Sequence, residues 1–168
     1  MTDSADNASL RREIDLLVAH REIEQQIFRM GYALEDGDFD TVGELLRHAT
    51  FGADMIGRKV FTGKAEIQQQ YERTNITYPG KGRATREMYD NVVIDVDLDR
   101  GTARSTTMYT VAQQVPRDGE PFQLLVAGRY VDEWAVIDGA WHFTDRFIEV
   151  QFKNDLNRHM HAGSQPYN

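Results

Sequence analysis

The fold of this chain is decided by two aromatic segments, Gly128–Trp134 (GRYVDEW) and Ala140–Arg146 (AWHFTDR), which residues 135–139 (AVIDG) connect. Apolar and polar side chains alternate along both segments, and alternation with a period of two indicates half-buried β-strands. The Asp138-Gly139 pair favours a tight turn, so the two segments form an antiparallel hairpin. Arg146 lies inside the second strand. Because burial of an unpaired charge is costly, Arg146 requires either a charged partner or a ligand.

Upstream of the hairpin, the same kind of pattern predicts further strands. The long strands of this meander are expected at 83–97, 102–115, 122–136 and 140–152, with turns at 99–101 and 116–120. Two shorter strands are expected earlier in the chain, one with its turn at 50–57 and one at 60–63.

The N-terminal part of the chain is predicted to be helical. A helix from about 8 to 35 carries one apolar face, which is formed by Leu16, Ile23, Ile27, Met30 and Leu34. The segment 36–38 (DGD) ends this helix, a second helix follows at 39–48, and a third runs from Thr62 or Gly63 through Tyr71. Helices followed by a meander indicate an α+β fold: a cone-shaped, curved, mainly antiparallel sheet wrapped around three N-terminal helices. Such a fold encloses a concave, apolar place of the kind that ligands occupy.

The composition is that of one globular domain. The 168 residues carry a net charge of −8, include no cysteine and show no basic patch. Disulfides and thiolate chemistry are therefore excluded, and a nucleic-acid partner is disfavoured. The first residues lack the features of a secretory signal, and no apolar run reaches the roughly 18–20 residues that span a bilayer, so we expect a cytoplasmic protein without membrane association. We assign 1–7 as a disordered lead-in, 8–152 as the domain and 153–168 as a polar tail.

Four stretches together resemble the SnoaL-like branch of the nuclear transport factor 2-like superfamily. They are the corner at 32–40 (YALEDGDFD), the start of the third helix at 61–67 (FTGKAEI), the strand at 85–94 (TREMYDNVVI) and the closing hairpin. The resemblance covers residues 10–150 and implies a cystatin-like α+β barrel. It also implies proton abstraction on small apolar ring compounds, as in dehydratases, dehydrochlorinases and polyketide cyclases, without a metal or an organic cofactor.

The resemblance assigns three candidate catalytic residues. Glu35 falls where the family places an aspartate at the end of the first helix, Glu87 falls at the position of the family's catalytic histidine, and Arg146 falls at a pocket arginine. Two carboxylates in one apolar pocket cannot both ionise cheaply, so one pKa is expected to rise, whereas an arginine between them would lower both. If Arg146 faces inward, Glu87 is its natural counter-charge.

Each of these three assignments has a structural alternative. Glu35 can be a solvated residue at a helix end, and Arg146 can form an ion pair with Asp132 or Glu133. Glu87 shares strand parity with the more polar face of its strand, and it faces the pocket only if a bulge near Asp90 switches that parity.

The remaining candidates concern ligand contacts. We expect substrate-binding roles for Phe28, Tyr32, Tyr89 and Met108, with Tyr32 alternatively a core tyrosine whose hydroxyl reaches the surface. Phe28, Tyr32 and Glu35 fall on one line of the first helix. His159 and His161 form an H-x-H pair in the tail, but no third ligand accompanies them, so no metal site is predicted.

The sequence therefore predicts a cofactor-free acid–base enzyme, a dehydratase, isomerase or cyclase, that acts on a small apolar cyclic or polyketide-like compound. The alternative is a non-catalytic small-molecule-binding protein or an assembly subunit of the same fold. Apolar residues on both faces of 122–134 predict a homodimer, with a trimer as the second possibility. The tail is expected either to cross to the neighbouring copy or to cap the mouth of the pocket.

Overall fold

The computed structural model describes residues 2–117 and 119–162, with side chains from residue 6 onward. Three helices precede or interrupt a run of six strands. The elements are α1 (Thr2–Asp36), α2 (Phe39–Leu45), β1 (Thr50–Ala53), β2 (Gly57–Thr62), α3 (Gly63–Thr74), β3 (Thr85–Asp97), β4 (Thr102–Gln113), β5 (Gln123–Ile137) and β6 (Ala140–Lys153). The predicted α+β order is confirmed.

Element ends differ from the sequence prediction mainly in the helices. Helix α1 begins at Thr2, inside the segment that its polar composition suggested to be disordered, and α2 ends at Leu45 rather than at 48. A long helix can extend through polar residues because each added residue gains one backbone hydrogen bond once the helix is nucleated. Residues 163–168 of the predicted tail lie outside the described residues.

The six strands form one sheet in the order β2-β1-β6-β5-β4-β3. Neighbouring strands are antiparallel except for β1 and β6, which run parallel. Register shifts interrupt the pairing of β3 with β4, of β4 with β5 and of β5 with β6. Because bulges of this kind bend strands and increase their twist, the sheet curves around the helices.

Two apolar clusters fill the concave side of the sheet. The larger cluster packs α1 against the closing hairpin through Ile23, Ile27, Trp134, Trp141 and Phe143. The smaller cluster lies at the other end of the sheet and consists of Tyr109, Val111, Leu125, Tyr130 and Leu156. Within the described residues, no helix combines the length and apolarity that a bilayer crossing needs.

Candidate functional site

A bulge in β3 turns Glu87 toward the interior. The pairing with β4 shifts register between Asp90 and Val93, and Asn91 adopts a left-handed backbone with φ of 47°. Below the bulge Glu87 and Tyr89 face inward, whereas above it the inward residues are those of the opposite parity, such as Val92. The bulge near Asp90 that would let Glu87 face the pocket is therefore present, and only 1% of the Glu87 side chain is exposed.

A loop after α3 places a second charged residue beside Glu87. Gly82 has φ of 55°, and a Cβ atom at this position would lie 2.2 Å from the Glu35 carbonyl oxygen. This close approach lets the Arg83 amide donate a hydrogen bond of 2.9 Å to the same carbonyl. The Arg83 side chain is thereby fixed at the C-terminal end of α1, where a positive charge is favourable.

Arg83 connects a carboxylate and an imidazole. Its Nη1 donates to Glu87 Oε1 at 2.9 Å, and its Nη2 lies 2.7 Å from Nε2 of His159. Glu87 Oε2 has a weaker contact, since the hydroxyl of Tyr130 approaches it only to 3.5 Å. The arrangement is a buried chain of three groups in which one carboxylate oxygen stays largely unengaged.

The C-terminal segment places His159 beside Arg83. The carbonyl of His159 accepts a hydrogen bond from the Ile76 amide at 3.0 Å, and the His161 amide donates to the Thr74 carbonyl at 2.9 Å. Gln113 Nε2 donates to the Arg158 carbonyl at 3.2 Å. Leu156, His159 and Met160 of this segment line a pocket of their own chain.

The pocket is a cavity of about 140 Å³ between the two apolar clusters. Its wall is mostly apolar and includes Phe51, Val111, Val126, Ile148, Leu156 and Met160. Its polar wall includes Asn75, Arg83, Glu87, Tyr130 and His159. An engineered apolar cavity of about 150 Å³ binds benzene, so this volume suits a single ring.

Burial shifts the pKa values of Glu87 and His159. It raises the pKa of Glu87 above its ordinary value, although the positive charge of Arg83 acts in the opposite direction. Burial, together with the nearby charge of Arg83, lowers the pKa of His159 well below its ordinary value. The site thus combines a carboxylate of increased basicity with an imidazole that stays neutral.

The assignment of Arg146 to the pocket was wrong. Arg146 is fully buried and binds Asp132 with two hydrogen bonds, Nε to Oδ1 at 2.8 Å and Nη2 to Oδ2 at 3.0 Å. Its guanidinium lies over the ring of Tyr130 at 4.4 Å, so Tyr130 rather than Arg146 forms the cavity wall on that side. The counter-charge of Glu87 is Arg83, and Arg146 has the structural role that was its alternative.

Glu35 supports Glu87 and does not line the cavity. Its Oε1 accepts a hydrogen bond of 2.7 Å from the Glu87 amide, and its Oε2 binds Arg86 at 3.1 Å. The carboxylate thereby fixes the backbone from which the Glu87 side chain projects.

The four expected ligand contacts lie elsewhere. Phe28 packs against the larger apolar cluster, and the ring of Tyr89 packs edge-on against Tyr130 behind the cavity wall. Tyr32 is 66% exposed, because the buried face of α1 is the one that carries Ile27 and Leu34 rather than the Phe28–Tyr32 line. Met108 is 39% exposed and lies opposite Asp90 on the outer face of the sheet.

Sequence reasoning missed Arg83 and assigned no site role to His159. Arg83 stands in a loop, where no periodicity reports direction, and His159 lies 76 residues further along the chain. The available signal was the H-x-H pair in the tail. Within the described part of the chain, no three His, Asp or Glu side chains are grouped so that they could hold a metal ion.

Helices on the concave side of a curved sheet, with a cavity at one end, define a cystatin-like domain of the nuclear transport factor 2-like class. The pattern of the SnoaL-like domain matches residues 15–146, and the chain belongs to this family. No curated protein matches the sequence.

Solved structures of the same fold include proteins of different descriptions. A nuclear transport factor 2-like protein from Novosphingobium aromaticivorans has a TM-score of 0.67 at 16% identity, over 90% of this chain and 94% of that one. A hexachlorocyclohexane dehydrochlorinase of type 2 has a TM-score of 0.67 at 14% identity, over 90% and 94%. A protein described provisionally as a scytalone dehydratase, also from Novosphingobium aromaticivorans, has a TM-score of 0.63 at 21% identity, over 83% and 88%. At these identities the likeness concerns the fold.

Proposed function

We propose that this protein is a cofactor-free acid–base enzyme, a dehydratase, isomerase or cyclase, that acts on a small apolar cyclic compound. The observation that carries the proposal is Glu87, whose carboxylate is buried in the wall of an apolar, ring-sized cavity. Oε1 is held by Arg83, while Oε2 has only the 3.5 Å contact with Tyr130. Glu87 Oε2 is therefore the proposed base.

The neighbours of Glu87 have supporting roles in this proposal. Glu35 fixes the Glu87 backbone through the amide hydrogen bond, and Arg83 fixes the orientation of the carboxylate. Burial raises the pKa of Glu87, which brings its basicity closer to neutral pH, where a general base is most effective. The apolar wall keeps water away from the reacting atoms and favours ring compounds.

Proton abstraction can be tested without knowledge of the product. Cyclic ketones are incubated with the protein in deuterium oxide, and exchange of the α-proton is followed by NMR. We expect exchange catalysed by the wild type and slowed about 10²- to 10⁴-fold in Glu87→Gln, since this is the typical contribution of a general base. Glu133→Gln, which changes an exposed glutamate of β5, is the matched control. Exchange that is indifferent to Glu87→Gln removes Glu87 as the base.

The alternative is a non-catalytic small-molecule-binding protein, and the Arg83–Glu87 ion pair favours it. A carboxylate held by an arginine can serve only to stabilise the cavity wall, with no proton transfer. Binding of cyclic ketones by wild type and Glu87→Gln alike, without exchange in either, supports this alternative.

The proposal includes a homodimer formed through the outer face of the sheet. Met88, Val93, Met108 and Phe152 are apolar and exposed on this side, and Phe152 is 72% exposed. Sedimentation should show a dimer for the wild type and a monomer for Met108→Asp, whereas Leu17→Asp on α1 should stay dimeric. A trimer would identify the second possibility, and a monomeric wild type would favour an assembly subunit whose outer face binds a different chain.

A further inference from the structure

We propose that His159 binds the ligand through its Nδ1–H group, and that the ligand is a neutral single-ring compound that carries a hydroxyl or carbonyl oxygen. This inference rests on the proposed function only in using the same cavity, and it adds a residue and a substrate class that the acid–base role of Glu87 does not specify.

The tautomer of His159 follows from its contact with Arg83. A guanidinium has five N–H donors and no acceptor, so the 2.7 Å contact makes Nε2 of His159 the acceptor. A neutral imidazole whose Nε2 accepts a hydrogen bond carries its proton on Nδ1. A second proton on Nε2 would face the positive charge of Arg83 at hydrogen-bond distance, so the ring remains neutral.

The Nδ1–H group is buried and unused. His159 is 5% exposed, lines the cavity, and its Nδ1 has no hydrogen-bond partner among the described residues. The surrounding backbone explains the position of the residue through the bonds to Ile76 and Arg158, but none of these bonds engages Nδ1. Because buried donors in folded proteins are almost always paired, this donor indicates an acceptor that enters the cavity.

The other polar atoms of the wall narrow the chemistry of that acceptor. Nε of Arg83 is a second buried donor without a partner, and Glu87 Oε2 is an acceptor with only one weak contact. Glu87 and His159 lie on either side of the Arg83 guanidinium, and each contacts one of its two terminal nitrogens. A hydroxyl group can accept from Nδ1–H and donate to the carboxylate, and a ring ketone can accept from the same donor. A hydrocarbon ring fills the volume but leaves both donors unpaired.

Two ring compounds of nearly equal size separate this inference from simple apolar filling. Phenol and toluene differ mainly in whether an oxygen or a methyl group projects from the ring. We expect calorimetry to show that the wild type binds phenol about tenfold more tightly than toluene, because one hydrogen bond to a buried donor is typically worth this ratio.

Two histidine variants assign the preference to one atom. In His159→Met the thioether sulfur can still accept weakly from Arg83, but the side chain has no donor that could replace Nδ1–H. This variant should bind toluene as the wild type does and lose the preference for phenol. His161→Met makes the same change at an exposed histidine two residues away and should keep the preference.

Proton NMR of the wild type provides a readout that needs no variant. Phenol should shift the His159 Nδ1–H resonance downfield, and toluene should leave it in place. Equal binding of phenol and toluene, or a phenol preference that survives in His159→Met, overturns the role of His159 and leaves Glu87 untouched. If neither compound binds, the cavity is not a ligand site, and both this inference and the proposed function fail.

Discussion

The two buried arginines of the site region, Arg146 and Arg83, solve the same problem in different ways. Arg146 gives Nε and Nη2 to a single carboxylate, that of Asp132, and both side chains are fully buried. Arg83 divides its two terminal nitrogens between Glu87 and His159 at the wall of a cavity. The first pair uses most of its polar atoms, whereas the second leaves a carboxylate oxygen and a ring nitrogen for another molecule.

The difference teaches how a buried charge can be interpreted. A bidentate pair between two strands ties the strands together, and burial of Arg146 is outweighed by Asp132, which raises the pKa of the arginine above its ordinary value. A shared arginine instead positions two groups that retain chemical capacity. Perturbed groups beside a cavity therefore indicate function more strongly than perturbed groups inside a closed pair.

The largest expected effect on stability comes from breaking the buried ion pair between Arg146 and Asp132, which we call the closed pair. Asp132→Asn leaves the buried guanidinium of Arg146 without a counter-charge, and such a loss typically costs about 3–5 kcal/mol of unfolding free energy. Urea unfolding followed by tryptophan fluorescence measures it. A loss below about 1 kcal/mol would show that Arg146 finds another partner.

Breaking the shared arrangement should cost less. In Glu87→Gln, Arg83 keeps His159 and the Leu34 carbonyl as acceptors, so we expect a loss of about 1–3 kcal/mol in the same urea experiment. Equal losses for Glu87→Gln and Asp132→Asn would contradict the distinction between the two arginines.

The pH dependence of stability sharpens the comparison further. Because the pKa of His159 is lowered by folding, the unfolded chain takes up a proton first as the pH falls below about 6.5. The stability that depends on neutral His159 is complete above that pH and is lost toward acid, with a limiting slope of about 1.4 kcal/mol per pH unit. Between pH 7 and pH 5, the midpoint temperature of thermal unfolding should therefore fall more steeply for the wild type than for His159→Gln. The control variant His161→Gln should follow the wild type. Parallel curves for all three proteins would contradict a buried, neutral His159.

The smallest effect on stability is expected from breaking an exposed arginine–aspartate pair. Arg12 binds Asp99 with two contacts of 2.8 Å, from Nη1 and Nη2. This pair is bidentate like the buried one, which uses Nε and Nη2, but both of its side chains are more than half exposed. Asp99→Asn should leave the urea midpoint close to that of the wild type, and added salt should remove most of any difference. A loss as large as that of Asp132→Asn would show that geometry rather than burial determines the cost.

The sequence predicted the fold better than the site, for physical reasons. Strand alternation and the Asp-Gly turn are local signals, and even the bulge near Asp90 was visible as a conflict of parity. The partner of Arg146 was among the alternatives because Asp132 lies across the same hairpin. Arg83 and His159 come together only through closure of the chain, with a loop at one side and the C-terminal segment at the other, and neither position has a periodic pattern.

Helix α1 shows a limit of a different kind. Tyr32 was placed on a line with Phe28 and Glu35, but the helix buries a neighbouring line, so the tyrosine faces solvent. The apolar face formed by Ile23, Ile27 and Leu34 is the face that the helix buries, and the residues proposed as ligand contacts lie outside it.

The contact between Gly82 and the end of α1 has a consequence for how this chain can vary. Gly80 has a similar left-handed backbone, with φ of 68°, but nothing lies within 4 Å of its added Cβ, so asparagine can replace it. At Gly82 any side chain would collide with the Glu35 carbonyl and displace Arg83. Gly80 therefore tolerates substitution, whereas Gly82 does not. Chains that share this cavity can be sought by the pattern of Gly82, Arg83 and Glu87, a Gly-Arg pair with a glutamate four positions after the arginine, rather than by overall identity.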